Sequence, residues 1–237
     1  MRISVAPVPR EFAGCDAGTA VIVVDVFRAS TTIAAALAGG ARFVLPAADV
    51  EQAMKLAEPY AENEVLLGGE RECQRIEGFQ LGNSPREYTR EVVAGKVVIF
   101  TTTNGTQALA AAKDAGSVFV GGFVNFGAVA DAVAGFDAVT VLCSGNNGRL
   151  SLEDFACAGG LVHRLAKRTS QLDDAALAAR FAYRDMKEDL VRVLVSTEHA
   201  RRLAGLGFRA DLEFALKFDS LPVVPRQSEG RIASLPA

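Results

Sequence analysis

The strongest constraint on this chain is a strand that ends in charge. Residues 21–24 read V-I-V-V, a run of β-branched and apolar side chains suited to a buried strand of a parallel sheet. The chain then delivers an acid, Asp25, and a base, Arg28, just before a helix expected to begin near Ser30. Charges at the end of a buried strand are costly unless something there needs them. In open α/β sheets, ligands bind in the crevice beyond the carboxyl ends of the strands. This turn is therefore expected to be the chemical centre of an α/β fold.

The unit recurs. V-I-V-V-D-V-F-R-A-S-T-T-I-A-A-A lies over V-V-I-F-T-T-T-N-G-T-Q-A-L-A-A-A at a constant offset of 76, with Asp25 over Thr101. Arg28 then falls over Asn104, Ser30 over Thr106, Gly40 over Gly116 and Phe43 over Phe119. Alanine-rich helices match easily, so the better evidence is the repeated order of strand, polar turn, helix, glycine stop and strand. It predicts two similar strand–turn–helix units whose turns face one crevice. Other strands are expected at residues 2–5, 43–45, 65–67, 118–120 and 138–142, and helices at 49–60, 86–93, 107–115, 126–133 and 152–167. From 173 to 203 the chain reads as helical, and 211–218 as one more turn or two. Residues 221–225 read as a late strand at a sheet edge, with disorder near the last ten residues. The fold class is α/β: a layered α/β/α arrangement with a largely parallel or mixed sheet and a helical C-terminal insertion. Residues 1–237 form either a single domain or two lobes, of about 1–120 and 121–237, that share the crevice.

Composition narrows the partners. Half of the residues are hydrophobic, enough for a substantial core. A net charge of −3 argues against nucleic acid, so any basic site has to be local. The four cysteines show no C-x-x-C spacing, which fits a reducing compartment. The first residues lack an apolar signal core, and no apolar run approaches membrane-spanning length. A cytoplasmic protein without membrane partners is expected, with a homo-oligomer left open.

Several turns carry chemistry. In T-T-T-N-G-T, residues Thr102, Thr103, Asn104, Gly105 and Thr106 lie between a buried strand and a helix start, where free N–H groups favour an anion. The alternative is ordinary helix capping, which needs only one such side chain. Asp25 can ligate a hard cation such as Mg²⁺, and Arg28 offers a forked donor to phosphate, sulfonate or carboxylate. Equally, the two can pair and merely shape the turn. Glu70 and Arg71 in G-G-E-R repeat the theme, as do Arg149, Glu153 and Asp154 in G-R-L-S-L-E-D, although Ser151 and Asp154 also suit a helix cap. Together these turns assemble carboxylates for a metal and guanidiniums for a multiply charged anion. Cys143 lacks a nearby histidine and reads as a small buried thiol. His199 reaches the crevice only if its helix folds over it, His163 reads as structural, and Asp211 and Asp219 cap or pair. There is no P-loop and no G-x-G-x-x-G. A haloacid-dehalogenase-type phosphatase would need a second aspartate where Phe27 stands.

As a set, D-V-F-R-A-S-T-T, G-G-E-R, G-F-Q-L-G-N-S-P-R-E-Y, G-K-V-V-I-F-T-T-T-N-G-T and G-R-L-S-L-E-D resemble the 2-phosphosulfolactate phosphatase (ComB) family over residues 21–218. One departure is Cys73, near which glycine often follows the G-G-E-R segment. The resemblance implies a layered α/β fold and a Mg²⁺-dependent phosphatase that hydrolyses (R)-2-phospho-3-sulfolactate to 3-sulfolactate and phosphate, in methanogens a step of coenzyme M biosynthesis. On that reading Asp25, Glu70, and Glu153 or Asp154 hold Mg²⁺. Arg28, Arg71 and Arg149, with Ser30, Asn83, Ser84 and the Thr102 to Thr106 turn, bind the phosphate and sulfonate. Attack by Asp25 and attack by water both stay open. The alternatives are a phosphatase of another small acidic ester and a non-catalytic anion-binding module.

Overall fold

The structure, a computed structural model, describes residues 1–167 and 170–235. Its strands are β1 (Arg2–Ala6), β2 (Thr19–Val24), β3 (Phe43–Pro46), β4 (Val65–Arg71), β5 (Gln74–Arg75), β6 (Val97–Thr101), β7 (Ser117–Gly121), β8 (Ala138–Cys143), β9 (Gln171–Leu172), β10 (Pro225–Ser228) and β11 (Arg231–Ser234). The helices are α1 (Ala29–Ala38), α2 (Val50–Ala57), α3 (Arg90–Val93), α4 (Gly105–Ala111), α5 (Phe126–Val133), α6 (Leu152–Leu165), α7 (Asp174–Met186), α8 (Leu190–Leu194), α9 (Glu198–Gly205) and α10 (Arg209–Ala215). The strands join in one mixed sheet, in the order β5-β4-β6-β3-β11-β10-β7-β2-β8-β1-β9. No helix among the described residues is long and apolar enough to cross a membrane.

The alternation of side chains along a strand makes the layers. In β2, Ala20, Ile22 and Val24 share a core with α5, α6 and α7. Val21 and Val23 face the other way, toward Ile33 of α1 and Leu109 of α4. In β6, Val98 and Phe100 join that second core, while Val97 and Ile99 turn to a third with Ala53 of α2. The layered α/β fold expected from the sequence is therefore present, with α1 and α4 on one face and α2, α5, α6 and α7 on the other.

The sequence repeat is a repeat of architecture. α1 and α4 begin at Ala29 and Gly105, and α2 and α5 at Val50 and Phe126, the same offset as Asp25 to Thr101. Strands β4-β6-β3 and β8-β2-β7 each form a parallel half-sheet with the site-bearing strand in the middle. Between the halves lies the β10–β11 hairpin, with β11 antiparallel to β3 and β10 antiparallel to β7. Three successive antiparallel pairings make the half-sheets run in opposite directions. The hairpin is thus the axis of a pseudo-twofold arrangement.

This corrects the reading of the C-terminal region. The strand expected over 221–225 forms instead over Pro225–Ser228 and lies in the middle of the sheet, not at its edge, and Ile232, within the stretch expected to be disordered, is completely buried. Glu229 and Gly230 take φ of 50° and 77°, which suits a two-residue hairpin turn. Pro225 opens its strand, where a missing N–H is tolerated.

Other boundaries differ as well. β4 continues through Glu70 and Arg71, where a turn was expected. Gly69, at φ 144°, allows this because a Cβ there would collide with the Thr101 carbonyl oxygen of the neighbouring strand. The chain then reverses through Glu72 and Cys73, at φ 53° and 69°, into β5. Residues 86–93 split into a 3-10 turn (Pro85–Glu87) and α3, and α4 stops at Ala111.

Candidate active site

A cavity of about 200 Å³ lies where the two repeated turns meet. Asp25 and Arg28 from the turn after β2, Thr102 to Asn104 from the turn after β6, and Glu70 from β4 line it. The starts of α1 and α4 touch there. A Cβ on Gly105 would lie 2.5 Å from Ala29 Cβ and 2.9 Å from Asp25 Oδ2, so glycine is what lets the two turns close up. The single crevice expected from the repeat is present. α9 closes it with His199 and Arg202.

The four expected carboxylates do different work. Asp25 Oδ1 accepts the Ala29 N–H at 3.1 Å, and among the described residues no group donates to Oδ2. Burial raises the Asp25 pKa to about 6; the charges of Glu70 and Glu153 push the same way, against the Ala29 N–H and His199. Glu70 lines the cavity, but its oxygens accept the N–H groups of Thr103 (2.8 Å) and Cys73 (2.7 Å), tying the turn after β6 to the β4–β5 turn. Asp154 is deeper. It accepts the N–H groups of Val26 (2.8 Å) and Gly145 (3.1 Å), and burial, with Asp25 and Glu153 nearby, holds its pKa well up. Glu153 is 1% exposed and directs Oε1 to His199 Nδ1 at 2.7 Å, leaving Oε2 buried without a partner. Glu153 thus orients a histidine and Asp154 binds backbone amides, and neither lines the cavity itself.

The cations also differ from those expected. Arg28 is on the cavity wall, 2% exposed. Arg71 is not. It follows Glu70 in the same strand, so its side chain points to the opposite face, where it donates to Thr101 Oγ1 (3.0 Å) and the Glu70 carbonyl (2.8 Å). Arg149 is exposed in the loop after β8 and lines an adjoining hollow of about 630 Å³ instead. Their places are taken by His199 and Arg202. Burial alone would lower the His199 pKa, but contacts with Cys73 and Glu153 and the charges of Glu153 and Asp25 outweigh it, raising the pKa to about 10. Arg202 gave no advance signal, and for His199 the only one was the condition that its helix fold over the crevice. α9 does so.

The polar residues divide similarly. Asn83, Thr102, Thr103 and Asn104 line the cavity. Ser30, Ser84 and Thr106 do not. Ser30 Oγ accepts the Asp25 N–H at 2.8 Å, Ser84 Oγ donates to Asp211 at 2.8 Å, and Thr106 Oγ1 donates to the Thr102 carbonyl at 2.7 Å. These hydroxyls hold the turns rather than a ligand, while neither α1 nor α4 donates a hydrogen bond to the side chain of its N-cap residue. Gly105 contributes its lack of a side chain.

Among the described residues no three His, Cys, Asp or Glu side chains form a metal cage. Mg²⁺ does not require one, since it takes one or two carboxylates and keeps several waters. Asp25 Oδ2, with the buried and unpartnered Asn83 Oδ1 and Thr103 Oγ1 beside the cavity, is a donor set of hard oxygens that fits such an ion.

Fold and cleft together define an α/β protein whose small charged cavity sets the Asp25 carboxylate among the buried Arg28, the partly buried His199 and the exposed Arg202. A 2-phosphosulpholactate phosphatase family model matches residues 7–230. The chain is 39% identical over 212 residues to a probable 2-phosphosulfolactate phosphatase of Caldanaerobacter subterraneus subsp. tengcongensis, covering 89% of this chain and 88% of that relative. A protein of the same description from Thermotoga petrophila is 38% identical over 209 residues, 88% of this chain and 89% of its own. Another, from Symbiobacterium thermophilum, is 37% identical over 222 residues, 92% and 95% of the two chains. The chain belongs to the 2-phosphosulpholactate phosphatase family, a family of phosphoric monoester hydrolases.

Proposed function

We propose that the chain is a Mg²⁺-dependent 2-phosphosulfolactate phosphatase that releases phosphate and 3-sulfolactate. The observation that carries this reading is Asp25 Oδ2, free of hydrogen-bond donors among the described residues, in a cavity whose charged walls include Arg28, His199 and Arg202. Asp25 would hold the ion, with Asn83 and Thr103 supplying neutral oxygens. Bound there, Mg²⁺ supplies charge neutralisation to the phosphate oxygens. Arg28 and Arg202 bind the anionic groups of the substrate. With Nδ1 committed to Glu153, His199 carries its transferable proton at Nε2 and gives it to the departing alkoxide oxygen, while water supplies the oxygen that replaces it on phosphorus. Phe27 and Leu203 line the cavity and limit water. The four cysteines are free, which supports a reducing, cytoplasmic setting.

The test is phosphate release from 2-phosphosulfolactate with Mg²⁺ and with EDTA. Release that requires Mg²⁺ and disappears in Asp25→Asn is expected. Full activity of Asp25→Asn, or turnover unaffected by EDTA, rejects the assignment. A second reading, a phosphatase of another small acidic ester, draws on the adjoining hollow of about 630 Å³, which shares Asn146, Asn147 and His199 with the cavity and leaves room for a longer acid. Faster turnover of a longer acidic phosphate ester than of phosphosulfolactate selects it. Phosphate binding without turnover of any ester would leave an anion-binding module.

A further inference from the structure

We infer that Asp211 is a positioning residue that aims the Arg28 guanidinium at the substrate anion. The inference deepens the phosphatase reading and rests on it for the kinetic arm of its test.

Asp211 comes from α10 and is 1% exposed. Its Oδ2 accepts from Arg28 Nη1 at 2.9 Å, across 183 residues of sequence. Its Oδ1 accepts from Ser84 Oγ at 2.8 Å. Ser84 follows Asn83, which lines the cavity alongside Arg28. One carboxylate therefore ties the turn after β2 to the G-N-S-P loop.

Arg28 has two further supports. Nη2 donates to the Cys73 carbonyl at 3.1 Å, and the guanidinium carbon lies 4.0 Å from the centre of the Phe208 ring. Phe208 immediately precedes α10, so the same segment supplies both the ion partner and the stacking face. A guanidinium is planar and has five N–H donors, of which these contacts use two. Fixing its plane and two of its donors fixes the direction of the rest. A buried pair that only held the fold would need neither the stacked ring nor a place on the cavity wall. Recognition of an oxyanion by a fork needs the plane fixed.

Chemical rescue separates the two roles. Arg28→Ala leaves a hole bounded by Asp211, the Cys73 carbonyl and Phe208. Millimolar guanidinium chloride, compared with potassium chloride at equal ionic strength, is expected to raise the melting temperature of Arg28→Ala and to restore its turnover roughly tenfold. Both responses should vanish in Arg28→Ala/Asp211→Asn. Asp211→Asn alone should lower kcat by roughly tenfold or more while KM moves less. If the double variant does not fold, Arg28→Ala/Phe208→Leu replaces it, with a weakened response expected.

The inference is overturned if Arg28→Ala shows no guanidinium response, or the same response with and without Asp211. It is also overturned if folded Asp211→Asn keeps wild-type kcat and KM. If no variant and not the wild type turns over a phosphate ester, the phosphatase reading fails. The melting response, present with Asp211 and absent without it, would then still support the cradle.

Discussion

Glu153 Oε1 lies 2.7 Å from His199 Nδ1, so an acid on α6 fixes the ring that α9 brings to the cavity. The acid is sealed from water and the imidazole side chain is 13% exposed. Their charges therefore act on each other with little solvent screening.

The pair has a pH signature. The His199 pKa is raised from 6.5 to about 10, so its contribution to stability is complete below pH 6.5 and is lost as pH rises through about 10. Thermal melts in EDTA from neutrality through that range should show wild type losing stability relative to His199→Gln. Turnover of His199→Gln should fall by roughly 10²–10⁴-fold, the usual contribution of a general acid. A variant with wild-type kcat would remove His199 from the reaction.

Asp25 also loses stability as pH rises, but because its ionised form is the costly one. Its pKa is raised from 3.8 to about 6, so keeping it ionised in the folded protein costs free energy. The native state is favoured below pH 3.8 and loses that advantage as pH rises through about 6. Asp25→Asn should therefore melt higher than wild type at neutral pH in EDTA, with the gain gone at pH 3.8, while phosphate release is lost. A lower neutral melting temperature would contradict this account.

For Asp154 the expectation is structural. Asp154→Ala leaves two buried N–H groups, of Val26 and Gly145, without acceptors, at roughly 1–3 kcal/mol each. Urea unfolding should show that loss. Asp154→Asn retains one acceptor and should lose about half as much.

The repeat at the offset from Asp25 to Thr101 was legible because it is written in local signals: apolar strand, polar turn, helix, glycine. So was the β2 turn, whose Asp25 and Arg28 both reach the cavity. What was not legible depends on long-range placement. Arg71 follows Glu70 by one position, and extending β4 through both sends their side chains to opposite faces. Arg202 and Asp211 sit on helices that look like ordinary amphipathic surface, and only the docking of α9 and α10 gives them neighbours. Cys73 and Glu72 turn a hairpin without the Asn-Gly or Asp-Gly that announces one.

Arginine identity at the site is directly testable. Arg149→Ala should leave kcat and KM near wild type, because the side chain is exposed and outside the cavity. Arg202→Ala should raise KM for the anionic substrate several-fold, with a weaker salt dependence of kcat/KM. The reverse outcome would restore Arg149 to the substrate site.

Gly105→Ala tests the meeting of the two turns. The added methyl would press on Ala29 Cβ at 2.5 Å and Asp25 Oδ2 at 2.9 Å. Activity should drop far more than alanine's better helix propensity, about 1 kcal/mol, restores in stability. Unchanged kcat would show that the turns tolerate separation.

The central hairpin sets an order of assembly. β10 and β11 follow every other strand in the chain, yet they join the two half-sheets. On the ribosome, both halves of the catalytic crevice are made before the strands that stitch them together have left the exit tunnel. Until then β3 and β7 each present an open edge ready to pair with another chain. Synthesis arrested after α10 would therefore yield not a trimmed enzyme but two half-sheets held together through α1, α4 and their turns, each with an open edge prone to association.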